Sequence, residues 1–481
     1  MVFGIGVIIG AGIFATIGTA AAGDALRLGA GPALIVSFAI TALVCGFAAL
    51  CYAELATLIP IAGSAYTYAY ASFGELIAWI IGWDLVLEYG VGTIAVAVSW
   101  SGYFNAFLRG LGLSLPAWAS MDYRTAWQGF SQAAGIVKSG SSFEQLAPAL
   151  QHAWTAYASA PHFFGLPIIF NFPACAIVLL LTLILVIGIK ESARFNAAIV
   201  TVKLLIIAFF IGLGMFFIKP HNWVPFAPHG FAGIKAGAAI VFFAFIGFDV
   251  VSTMAEETKQ PKKDLPIGII GSLIVCTLIY MAVSAVFTGM VPVSLLSTTL
   301  ANQKAEPLAM AMSYNHLDWA AGIIAFGAII AQTAVLLVLQ LGQSRIFYSM
   351  SRDGLLPSPF AVIHPKFKTP YVTTILGGVF AALIAAFANI DEMADLTNIG
   401  TLFAFVLVCL GVVILRIKEP HKPRAFKVPF SPVVPLLGAG ACVFLMTGLP
   451  GITWIRFFVW LAIGFVVYFG YSLRHSLLHK P

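Results

Sequence analysis

Three ionisable residues fall inside long apolar runs of this chain: Lys203, Glu88 and Asp249. Lys203 lies nine residues past Arg194, roughly 13 Å deeper at about 1.5 Å per residue, whereas a lysine stem snorkels only about 5 to 6 Å. Its ammonium must therefore be housed among other helices. There it is either tied to carbonyls for structure or acts as a titratable group that takes and releases a proton, and an ammonium can also stand where a sodium ion would sit. Glu88 is thirteen residues past Glu75 and needs a cationic partner, protonation or a wet cavity. It either pairs for packing or holds a substrate ammonium or guanidinium. Asp249, two residues past Gly247, suits the same role or that of a hydrogen-bonding cap. Asp84 and Glu54 lie nearer the ends of their helices and read as structural.

The elements that position such groups are marked by glycine. Gly4 to Phe14 holds four glycines in nine residues, Gly4, Gly6, Gly10 and Gly12, and each costs about 1 kcal/mol against Ala in a helix interior. A helix meant only to cross a bilayer would avoid them. A broken helix is tolerated in hydrocarbon only where the freed N–H and C=O groups face protein, water or a ligand. Gly10, Ala11 and Gly12 are therefore expected to expose backbone donors at mid-membrane, where the positive end of a half-helix holds an anionic group such as a carboxylate. A second interrupted stretch runs from Phe242 to Asp249, with Gly247 near its end. Of its rings Phe242, Phe243, Phe245 and Phe248, each reads as core, or one beside the break covers a ligand and gates it. The breaks fall in the first and sixth apolar segments, with five segments from one to the next. That is the pattern of two five-helix halves of opposite orientation whose discontinuous first helices meet at mid-membrane.

The rest of the chain is consistent with a bilayer. Of 481 residues, 60% are hydrophobic and 9% charged, with mean hydropathy +0.98, too little charge for a soluble fold of this length. Apolar runs of about 20 residues predict twelve helices, near 1–21, 32–59, 73–108, 167–189, 195–218, 233–253, 266–291, 318–349, 370–389, 393–415, 432–450 and 453–473. The expected fold is an all-α integral membrane protein. Residues 1–218 form the first inverted repeat, with a long outer loop at 113–164, and residues 233–415 form the second. Residues 416–481 supply a Pro- and Lys-rich linker and two peripheral helices. Of the 25 Lys and Arg, eight lie at the odd-numbered gaps and sixteen at the even gaps and the C-terminal tail, Lys203 being the remaining one. That bias puts both termini in the cytoplasm.

Several function classes drop out. The net charge of +6 is explained by the basic inner rim facing anionic lipid, so there is no nucleic-acid signal. The six cysteines lie in or beside apolar helices and read as small buried residues. All nine histidines fall in loops or tails without metal-ligand spacing. The pairs Gly4/Gly6 and Gly10/Gly12 follow no strand and open no βαβ unit, so a nucleotide fingerprint is rejected. No enzyme, cofactor or metal is expected. A channel is harder to exclude, since broken helices also line pores.

Ile9 to Phe14, the Phe243 to Asp249 stretch, Lys203, and Ser351-Arg352-Asp353-Gly354-Leu355-Leu356-Pro357 together resemble the amino acid–polyamine–organocation superfamily. Within it the chain looks like a bacterial relative of the cationic amino acid transporters, over nearly its whole length. The resemblance implies that the backbone of Gly10, Ala11, Gly12 and Ile13 binds a substrate α-carboxylate. It implies that carbonyls near Ile8, Ile9, Phe243, Ala244 and Ile246 take the α-ammonium, with Phe243 as the lid. Lys203 matches the family's helix-5 lysine, implicated in proton coupling. Thr16, Glu88 and Asp249 match polar positions around the side-chain pocket. The implied function is proton-coupled symport of L-amino acids, cationic ones included, across the plasma membrane. The alternatives are an exchanger or polyamine transporter, a non-transporting sensor, or a channel. The partners expected are substrate, proton and lipid, with an accessory membrane subunit left open. The chain departs from the family in lacking a polar segment before helix 1, in its longer 113–164 loop, and in having twelve expected spans where animal relatives have fourteen.

Overall fold

The computed structural model describes residues 1–24, 26–59, 64–146, 148–188, 193–295 and 306–477. The described residues are mostly helical, with one antiparallel ribbon in which His162–Phe163 pairs with Leu166–Pro167 inside the long loop. Among the described residues nine helices are long and apolar enough to cross a membrane. They cover Val2–Ala22, Gly31–Leu58, Glu75–Gly110, Ala197–Phe217, Gly230–Ser252, Pro261–Met290, Asp318–Arg352, Ile390–Lys418 and Gly451–His475. Three shorter apolar helices, Phe172–Ile187, Tyr371–Ala385 and Val433–Met446, fill the other expected positions. The molecule is a multi-pass, all-α membrane protein.

The long helix Glu75–Gly110 packs along Asp318–Arg352 and Ile390–Lys418, and Pro261–Met290 packs along Leu34–Leu58. These neighbours enclose the two interrupted segments, whose residues are almost all buried. The outward faces carry the apolar side chains a lipid contact needs, such as Leu179, Leu180, Leu183, Leu205 and Phe216. The stretch after Pro60 continues as the helix Ser64–Phe73, while residues 60–63 and the polar corner at 189–192 lie outside the described residues.

Ion pairs fasten both ends of the bundle. At one end Arg27 joins Asp24 and Asp395, Arg109 meets Glu306, and Glu392 takes both Arg124 and Arg456. At the other, Glu54 accepts from Arg416 and the Val428 N–H and forms an ion pair with Arg424. Glu54 thereby ties the Pro-rich linker to the second and tenth apolar helices. Beside it Tyr66 donates to Asp353, and Glu75 accepts from Tyr468 and Ser476 of the C-terminal segment. The long loop folds as two helices, Tyr123–Lys138 and Pro148–Ser159. The first is capped by Asp122, whose side chain accepts from the Thr125 N–H.

Candidate functional site

The first segment breaks where its glycines cluster. The helix Val2–Ile8 ends at Ile9, whose φ of −75° and ψ of 94° are extended, and a wide turn at Gly12–Thr16 leads into the helix Ile17–Ala22. The second segment loosens likewise, from the helix Gly230–Val241 through the tight turn Phe242–Ala244 to a narrow helix at Asp249–Glu257. Gly247 sits between at a φ of +116°, a conformation that favours glycine. The two interruptions touch. A Cβ built on Gly12 would fall 2.1 Å from the Ala244 Cα, and one on Gly247 would fall 2.7 Å from a Val7 methyl. Only glycine allows the two backbones to approach this closely.

Breaking a helix frees carbonyls at and beyond its end, and side chains from three neighbouring helices serve them here. The Lys203 ammonium, buried to 1% exposure, donates to Gly6 O at 2.7 Å and Ile9 O at 3.1 Å. A cation at the C-terminal end of Val2–Ile8 also complements that half-helix dipole. The Tyr280 hydroxyl lies 2.9 Å from both Ile8 O and Ala244 O, one from each break. Tyr103 donates to Phe14 O at 2.6 Å, and Thr16 donates to Gly12 O at 2.6 Å. Of the carbonyls that the resemblance assigns to a substrate ammonium, that of Ile9 therefore already has a protein donor, and those of Ile8 and Ala244 share one.

The four phenylalanines of the second break divide. Phe242 packs edge-on against Phe405, Phe245 against Tyr280, and Phe248 against Tyr52. Phe243 makes no ring contact among the described residues and keeps 7% of its surface exposed, whereas the other three have none. It is the least enclosed ring of the four.

The carboxylates fall away from Thr16. Glu88 is 15 residues before Tyr103, the partner of Phe14 O, in one helix, and so lies toward Asp249 rather than beside Thr16. Glu88 instead feels the charges of Asp249 and Asp84 and lies against the Thr401 hydroxyl. No described cation pairs with any of the three. Glu88 Oε1 and both Asp84 oxygens are buried without partners, and Gly400 makes room for Asp84, whose Oδ1 lies 2.7 Å from where a Cβ would stand. Asp249 accepts from the Gly247 N–H at 3.2 Å, acting as a cap for its own break.

Sequence reasoning missed Tyr280, Tyr103, Asn398 and Gln332. Asn398 donates to Ala239 O above the second break and keeps its own oxygen unpartnered. Gln332 is wholly buried with neither amide atom partnered. It lies one turn before Val335, whose methyl is 2.8 Å from the position of a Gly10 Cβ, and so on the face turned to the first break. Replacing Tyr280 with Phe keeps the ring but removes the donor shared by the two breaks. The expected cost is about 1–2 kcal/mol, read as a drop in the midpoint of thermal unfolding of the purified protein; an unchanged midpoint would show that the hydroxyl contributes nothing to holding the breaks.

The family described as amino acid permease matches residues 1–474. The chain is 46% identical over 477 residues to the branched-chain amino acid permease of Bacillus subtilis (strain 168), an alignment covering 99% of this chain and 92% of that protein. It is also 46% identical over 477 residues to the methylthioribose transporter of the same organism, covering 99% and 93%. The vacuolar cationic amino acid transporter 4 of Arabidopsis thaliana is 36% identical over 423 residues, covering 87% of this chain and 62% of that protein.

Proposed function

We propose, for a chain that belongs to the amino acid permease family, that it is a proton-coupled symporter of L-amino acids, cationic ones among them, working by alternating access. The observation that carries this reading is the meeting of two broken helices at Gly12 and Ala244, with the Lys203 ammonium seated on the first. The N–H groups at the start of the following half-helix, from Gly10 to Ile13, would form a positive end suited to an α-carboxylate. The Phe243 and Ile246 carbonyls offer acceptors for the α-ammonium, and Phe243 closes over the bound solute. Lys203 links a proton to the state of the first break: deprotonated, it would keep its N–H donors but lose the charge that holds Gly6 O and Ile9 O.

The architecture proposed is twelve spans in a five-plus-five inverted repeat, with both termini in the cytoplasm of a cell bounded by this membrane. Packing supports it, because the two most extensive helix pairs join the second apolar helix to the seventh and the third to the eighth. Those are equivalent positions counted from the two broken helices. The halves rock about the site, and substrate shifts the equilibrium only by binding one state better than the other.

The relatives' names span branched-chain amino acids, methylthioribose and cationic amino acids, so identity alone does not choose the cargo. The unpaired Glu88, with Asp84 and Asp249 beside it, favours a basic side chain. The test is uptake of labelled L-arginine, L-leucine and methylthioribose into liposomes holding the purified protein, with and without an inward proton gradient. Uphill, gradient-dependent uptake is expected; binding without gradient-driven flux would favour a sensor or exchanger. Glu88→Gln is expected to weaken L-arginine uptake at least tenfold, about 1.4 kcal/mol, and L-leucine much less. Equal losses would make Glu88 structural.

A further inference from the structure

Beneath the two helices of the long loop lies a cavity of about 640 Å³ to which neither break contributes. Its floor is the last three turns of Glu75–Gly110, and its walls are the helix Pro307–Tyr314, the start of Asp318–Arg352, and the loop helices themselves. The roof is fastened, since Arg124 pairs with Glu392 and the Asn389 amide donates to the Thr125 hydroxyl at 3.2 Å. The volume suits a small organic solute.

The charged and titratable groups lining the space are Arg109, Asp122, His152, Glu306 and Asp318. Glu306 gives one oxygen to Arg109, while its Oε2 is buried and has no partner. A buried acceptor left open is costly unless something fills it. Burial, and then the Arg109 charge, lowers the His152 pKa below its ordinary value, which favours the neutral imidazole, the form with a lone pair to offer. Burial raises the Asp122 carboxyl, against the pull of its bonds to Thr125. Arg109 has five N–H donors and commits one nitrogen to Glu306, leaving others for an anion. Acceptors for a cation thus stand beside a donor fork for a carboxylate.

We propose that this cavity is a second binding site, taking a basic amino acid by its side-chain ammonium or guanidinium at Glu306 and His152 and by its α-carboxylate at Arg109, where cargo is held before it reaches the breaks. The inference rests on the transporter reading, and the loop of residues 113–164 is what builds the site. Gly322 faces the cavity, and a Cβ there would meet nothing within 4 Å. Gly322→Phe therefore fills the space without moving the backbone.

The experiment is equilibrium binding of labelled L-arginine to the purified full chain, with uptake measured on the same preparations and unfolding midpoints as a check on folding. Two L-arginine per chain are expected for the wild type and one for Gly322→Phe. Glu306→Gln is expected to weaken one of the two at least tenfold. A wild type that transports L-arginine but binds one per chain, or two that neither variant alters, overturns the second site alone. A chain that neither binds nor moves L-arginine, but takes up another amino acid with the gradient, overturns it too. Absence of all binding and all uptake overturns the transporter reading with it.

Discussion

Gly12→Ala is expected to abolish transport, with initial uptake rates in liposomes falling at least about a hundredfold, because an ångström of misplacement can cost that much. The added methyl would stand 2.1 Å from the Ala244 Cα and 2.7 Å from its nitrogen. Both are backbone atoms, so no rotamer change relieves the clash and the two breaks must separate. Overpacking of this kind costs about 1–3 kcal/mol, visible as a lower unfolding midpoint. The control is Gly46→Ala or Gly212→Ala, where a Cβ meets nothing within 4 Å. Those substitutions are expected to be neutral or to stabilise their helices by up to about 1 kcal/mol. Normal uptake by Gly12→Ala would show that the close contact at Ala244 is incidental.

Lys203→Ala is expected to end accumulation while sparing exchange. With one proton per solute, an inward gradient sustains about tenfold accumulation for each pH unit, since one unit is about 1.4 kcal/mol. Without the ammonium that ratio should fall to one, and Gly6 O and Ile9 O lose their donor at a cost of about 1–3 kcal/mol each. Counterflow of labelled against unlabelled substrate needs no gradient, so it reports whether the variant still folds and binds. Exchange retained with accumulation lost is the expected pair of results. Uphill uptake at the wild-type level would remove Lys203 from the coupling.

Both breaks were legible in the sequence because glycine is costly inside a helix and leaves a visible mark. Lys203 was legible because depth can be counted along a helix, and nine residues is farther than a lysine can snorkel. What it holds was not: Gly6 O and Ile9 O lie far away in sequence, and only the packing of the fifth apolar helix against the first brings them together. Tyr280 and Gln332 escaped for a related reason. A tyrosine or glutamine on an apolar helix looks like any half-polar core residue until the facing carbonyls, or the missing ones, are known. Asp84 looked structural from its distance to a helix end, yet both its oxygens lie buried and unpartnered. The loop at 113–164 suggested no chemistry because its polar groups are scattered along the chain, and the cavity exists only once two helices roof it over. The four phenylalanines were equivalent as letters, and their neighbours' rings separated them.

The Tyr280 phenol has one hydrogen and two carbonyls at equal reach, Ile8 O and Ala244 O. Whichever it serves, the other keeps its lone pairs open. If a solute's ammonium claims one, the phenol can turn to its twin, so arrival and departure become a change of partners in which no donor is stranded in hydrocarbon. In the transport reading proposed above, the empty state would then leave one of these two carbonyls without a donor rather than both.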